Sequence, residues 1–102
     1  METRYITICL HHSGYFIGSP WSEYSGGKVT IFYNNDVDKL SLFEYEDLLK
    51  GAGEIDFEAF YYRVPGKTIK NGLRKLVIDH ENNVMVDSLG DIDTVELYVL
   101  HS

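Results

Sequence analysis

The chain has a single cysteine, Cys9, so no disulfide can close within it, and the disulfide-dense scaffolds of small secreted domains are excluded. No apolar run in the 102 residues approaches the ~18 that a membrane helix needs. Met1-Glu2-Thr3-Arg4 leads straight into a strand pattern, without the charged-then-apolar layout of a signal peptide. An intracellular setting, nuclear or cytoplasmic, is therefore expected, with no membrane partner. Basic residues are scarce: nine Lys and Arg stand against sixteen Asp and Glu, a net charge of -7. Phosphate contact needs clustered cations, so this balance opposes nucleic-acid binding and suits a basic partner surface or plain solubility. The sequence also lacks a GxSxG elbow, a dinucleotide fingerprint, an HExxH run and paired cysteines, and Gly26-Gly27-Lys28 lacks the rest of a phosphate loop. No catalysis, no cofactor and no metal are expected.

What is present is an ordinary globular composition, 44% hydrophobic, with eight Tyr, five Phe and one Trp as large rigid pieces for a core. The length suits one domain over 1–102, and there are no repeats, linkers or low-complexity stretches. Tyr5-Ile6-Thr7-Ile8-Cys9-Leu10 alternates and places Ile6, Ile8 and Leu10 on one face, which predicts a first strand. His11-His12-Ser13-Gly14 supplies turn chemistry, and Tyr15-Phe16-Ile17 is a candidate for pairing back briefly. Gly18-Ser19-Pro20 and Tyr24-Ser25-Gly26-Gly27 break the pattern, and Lys28 to Tyr33 predicts a second strand closed by Asn34-Asn35-Asp36.

Ser41 followed three residues later by Glu44 is a capping box, with Leu40 and Tyr45 as the accompanying hydrophobic staple. Leu42, Tyr45, Leu48 and Leu49 keep helical spacing until Gly51 and Gly53, so a helix is predicted over 42–50. Phe57 to Val64 is aromatic on both faces, as a central covered strand should be, and Pro65-Gly66 ends it. Leu73 to Ile78 reads as a strand, the polar run Asp79 to Asn83 leads into a short helix ending at Gly90, and Thr94 to Leu100 alternates as a last strand. This order predicts an α+β fold of the ubiquitin-like β-grasp kind: a mixed sheet of about five strands, one main helix and a short second helix.

Several of these runs resemble a known family. Ile6-Thr7-Ile8 to His11-His12-Ser13-Gly14, Tyr24 to Val29, Asp36 to Ser41, Tyr61-Tyr62-Arg63-Val64-Pro65-Gly66, Gly72-Leu73 with Asp79, and Leu97 to His101 follow one another as in the PB-one-like (Phox and Bem one) domain of plants. The resemblance implies a β-grasp fold, protein–protein association, and a place at the N-terminus of Mutator-type transposase-derived proteins. In the parent class one partner presents an acidic cluster between a late strand and the second helix, and the other a basic residue on the first strand. By this resemblance Asp79, Glu81 and Asp87 fall in the acidic cluster, though His80, Asn82 and Asn83 dilute it; the first strand has no Lys, and Arg4 stands at its edge.

Asp79 and Glu81 are therefore candidate acceptors for a partner's Lys or Arg; the plainer alternative is that they serve the second helix as cap and dipole partner. Lys67, Lys70, Arg74 and Lys75 gather four of the nine bases in nine residues, a candidate basic face for a second copy of the chain or, as the alternative function, for nucleic acid. Head-to-tail contact of that kind would build chains. His11, His12, His80 and His101 are expected in turns and on the surface, because His11 and His12, adjacent on a strand, point to opposite faces and cannot share one ion. Cys9, mid-strand among apolar neighbours, is expected to be inert. Trp21 is either an exposed anchor or a cover for one end of the core.

Overall fold

The computed structural model describes residues 3–77 and 79–102, with Asp79 described through its backbone alone. The alternation read at the start of the chain runs further than expected: β1 spans Tyr5–His12, and Ile6, Ile8, Leu10 and His12 are all buried on one face. His11 and His12 therefore belong to the strand, not to a turn. The reversal comes at Ser13, which takes a positive φ of 64. His12 continues the even-numbered phase of the strand, and that phase carries it inward.

The segment expected to contain breaks folds into a second, two-stranded sheet. β2 (Tyr15–Gly18) pairs antiparallel with β3 (Trp21–Ser25). Its root is tight: a Cβ on Gly14 would lie 2.5 Å from the Ser25 carbonyl oxygen, and one on Gly27 would lie 2.7 Å from that of His12. Only glycine allows the two chains to cross so closely there.

β4 (Lys28–Asp36) pairs antiparallel with β1, with a bulge near Asn34, whose φ is 58. A 3-10 turn (Val37–Lys39) leads to α1 (Leu42–Gly51), where the Ser41 hydroxyl accepts from the Glu44 N–H at 3.1 Å. Leu40, Tyr45 and Leu49 are buried, as the staple and the helical spacing require. β5 is Ala59–Arg63, shorter than the aromatic run. A single turn, α2 (Ile69–Gly72), leads to β6 (Leu73–Leu76); Ile78, where this strand was expected to end, lies outside the described residues. α3 covers Asp79–Leu89 and takes in the whole polar run, because Asn82, Met85 and Leu89 recur at helical spacing against the core. β7 (Thr94–Leu100) closes the chain.

The main sheet has the order β4-β1-β7-β5-β6, with β1 and β7 parallel and the other neighbours antiparallel. The parallel centre, with α1 crossing between the β1–β4 and β5–β6 hairpins, makes this an α+β fold of the ubiquitin-like β-grasp type. Ile8, Leu10, Leu97, Val99, Phe60, Tyr45, Leu49 and Met85 form the core between sheet and helices. The β2–β3 hairpin lies against the other face, stacking Phe16 on Trp21 at 4.3 Å and setting both rings edge-on to Tyr61.

Candidate functional site

The acidic run stands at the corner where β6 gives way to α3. The side chain of Asp79, the first residue of α3, is outside what the structure describes. Glu81 turns toward the sheet, because it precedes the buried Met85 by four residues and so shares its helical stripe. Its Oε1 accepts from the Val77 N–H at 3.3 Å, while its Oε2 is buried with no hydrogen-bond partner among the described residues. Burial raises the Tyr62 hydroxyl above its ordinary pKa; Arg74 lowers it and Glu81 raises it, so both charges reach that phenol. Asp87 is exposed, but six residues along a helix place it on a different side from Glu81. His80 and Asn83 are exposed too. Asn82 is 5% exposed: its Oδ1 accepts from the Tyr45 hydroxyl at 2.6 Å, and its Nδ2 donates to the Leu40 carbonyl at 3.2 Å. The residue that seemed to dilute the acidic run is thus a polar pin joining α3 to α1.

The basic residues around β6 are all exposed, yet they do not form one face. Arg74 and Lys75 are consecutive in a strand and point to opposite sides of the sheet. The Arg74 guanidinium folds onto the carbonyls of Asn71 and Leu73, at 3.2 and 3.1 Å. Arg4 is likewise engaged within the chain, donating to the carbonyls of Gly90 and Ile92 at 2.8 Å each. Near the same corner a groove of about 220 Å³ is lined by Leu42, Phe57, Ala59, Phe60, Leu76 and Val77, together with Glu58 and Lys75.

On the hairpin side of the sheet, His11 stacks on Tyr98 at 4.3 Å and shares Glu96 at 3.0 Å, and Arg63 donates to the Tyr98 hydroxyl at 3.1 Å. The Tyr24 hydroxyl accepts from the Gly14 N–H and donates to the Val99 carbonyl at 2.8 Å, clamping the hairpin to β7. Trp21 is half-buried there, so it covers the second face of the sheet and not an end of the core. Cys9 lies on this face; burial, a hydrogen bond to Glu96 and that carboxylate's charge push its thiol up to about 11. A thiol held protonated in this way is a poor nucleophile.

A second polar cluster lies at the end of β1. His12, 2% exposed, meets the Glu54 carboxylate through Nδ1 and the Thr30 hydroxyl through Nε2, at 2.7 Å for the latter. The Ser13 hydroxyl donates to the same carboxylate. The Ser13 N–H donates to His101 Nε2 at 2.8 Å, which leaves Nδ1 of His101 to donate to the Asp56 carbonyl at 2.7 Å. Partial burial would raise the Glu54 carboxyl, but the Ser13 and His12 hydrogen bonds and electrostatic attraction to His12 and His101 outweigh it and hold it below the usual range. Buried donors and acceptors need such partners, and this set fastens the α1–β5 connection and the chain end to β1. Local sequence signals could not reveal it, since its members are drawn from four separate segments.

Among the described residues no group of three or more His, Cys, Asp or Glu is placed to hold a metal ion, and no helix is long and apolar enough to cross a membrane. Comparison with known proteins finds a family model, described as PB1-like domain, matching residues 1–101. No curated protein and no solved structure matches the chain.

Proposed function

The chain belongs to the PB1-like domain family, whose members generally serve as protein-interaction modules, and we propose that it docks a basic partner surface through the acidic run Asp79, Glu81 and Asp87, without catalysis of its own. The observation that carries this reading is that the run is built into α3, a helix packed on the core through Asn82, Met85 and Leu89. A helix packed in this way presents its side chains from a fixed backbone, which lowers the entropy lost on binding. Glu81, partly buried and tied to the Val77 N–H through Oε1, adds a negative charge at this corner that a Lys or Arg from another protein would balance. The separation of Arg74 and Lys75 onto opposite sheet faces gives the alternative, nucleic-acid binding, no continuous cationic track. On its motifs we place the chain with the N-terminal modules of Mutator-type transposase-derived plant proteins, acting in nucleus or cytoplasm. The test is affinity capture from a plant-cell lysate with the wild-type chain and an Asp79→Asn/Glu81→Gln variant. Gln at 81 keeps an acceptor for the Val77 N–H while removing the charge. Partners lost with the variant support the proposal, and an identical set from both contradicts it.

A further inference from the structure

We infer that β4 is a self-association edge, along which two copies of this chain pair antiparallel about a twofold axis at Ile31. The two edges of the main sheet are β6 and β4, and they are unequal. β6 is four residues long and largely closed by its own neighbours. The bond from the Val64 N–H to the Gly72 carbonyl sets the phase of the β5–β6 ladder, leaving Leu73, Lys75 and Val77 to face outward. Of these, Leu73 already donates to the Ile69 carbonyl and accepts from Arg74, and Val77 donates to Glu81. β4 is nine residues long and carries an exposed apolar row on the hairpin side: Val29 at 53%, Ile31 at 46% and Tyr33 at 70%. A long edge with an exposed apolar row is what strand addition uses.

The strand itself selects the occupant. It bulges at Asn34, so a second strand can follow it only along Lys28–Tyr33. Within that run the side chains are self-complementary about Ile31: an antiparallel copy sets Ile31 against Ile31 and Val29 against Tyr33 on one face. The charges are complementary as well. Lys28 is exposed at one end, while Asp36 and the exposed Asp38 stand beyond the other. An antiparallel copy brings each Lys28 to the partner's acidic end, whereas a parallel copy would set like charges side by side. Such an isologous contact closes on itself as a dimer and does not grow into a chain. It leaves the α3 corner free and does not depend on the function proposed there.

The test is sedimentation equilibrium of the whole chain from micromolar to millimolar concentration, at moderate salt so that repulsion between two copies of charge -7 is screened. The mass should rise from 11.7 kDa toward twice that value. Ile31→Lys, at a position 46% exposed, should weaken the dimer about tenfold or more. Lys28→Asp should weaken it about threefold, as fits a partly exposed pair, and adding Asp38→Lys to the same chain should restore it. Amide exchange on the wild type should slow with concentration along 28–33, a readout that does not depend on any variant folding. A monomer at every concentration, a dimer indifferent to Ile31→Lys, or protection appearing at β6 or α3 instead would each overturn the inference.

Discussion

Asn82 and Glu54 show what single residues contribute that the sequence does not display. Asn82 lies in a polar run, and nothing adjacent to it signals that its amide pins Tyr45 and Leu40 across the core. Replacing it by Ala removes two buried hydrogen bonds and strands the Leu40 carbonyl, so Asn82→Ala should lower stability by about 2–3 kcal/mol in urea unfolding. Glu54 has a definite sign in pH. Its folded-state carboxyl is held below the ordinary value of 4.5, so its contribution to stability is complete above that pH. It is lost as the pH falls through the lowered folded value. Glu54→Gln should therefore flatten the acid limb of the stability-against-pH curve below about pH 4.5 and leave the slope above it unchanged. His12 was legible only as a turn residue, because its inward phase is apparent only once β1 is known to extend past Leu10.

Elements with local signatures were readable in the sequence. Ser41 and Glu44 announced the start of α1, and the structure places the Ser41 hydroxyl on the Glu44 N–H; Ser41→Ala should cost about 1 kcal/mol, seen as a lower thermal midpoint. The alternation of β1, β4 and β7 was equally plain. Of the β2–β3 hairpin only the first strand was legible, in Tyr15-Phe16-Ile17, since Gly18, Ser19 and Pro20 interrupt its apolar residues and its stability comes from rings on other strands. Phe16 and Trp21 reach Tyr61, and Tyr24 reaches Tyr98. Trp21→Ala should cost about 2 kcal/mol, less than a fully buried Trp, and should raise binding of an apolar dye as the second sheet face opens. α3 exceeds its expected length because the spacing of Asn82, Met85 and Leu89 makes one amphipathic helix of the whole run, its polar residues included.

At the scale of the molecule, the element order was enough to reach the β-grasp, because a helix between two hairpins with a parallel centre admits few arrangements. The proposed docking surface was less legible. The sequence could gather acids at 79–87 and bases at 67–75, but strand alternation divides Arg74 from Lys75, and helical rotation divides Glu81 from Asp87. Among these acids, Glu81 is tied to the fold, with one oxygen on the Val77 N–H and the other buried. Charge recognition on this acidic surface has a distinct mark in salt dependence, since attraction between facing charges is cut off beyond ~8 Å at physiological ionic strength. The decisive measurement is titration calorimetry of the first captured partner against the wild-type chain and Glu81→Gln/Asp87→Asn, at low and at high salt. Docking through these carboxylates requires a wild-type affinity about tenfold weaker at high salt, and a variant that is weak in both buffers with little salt dependence. A wild-type affinity unmoved by salt and matched by the variant would contradict it.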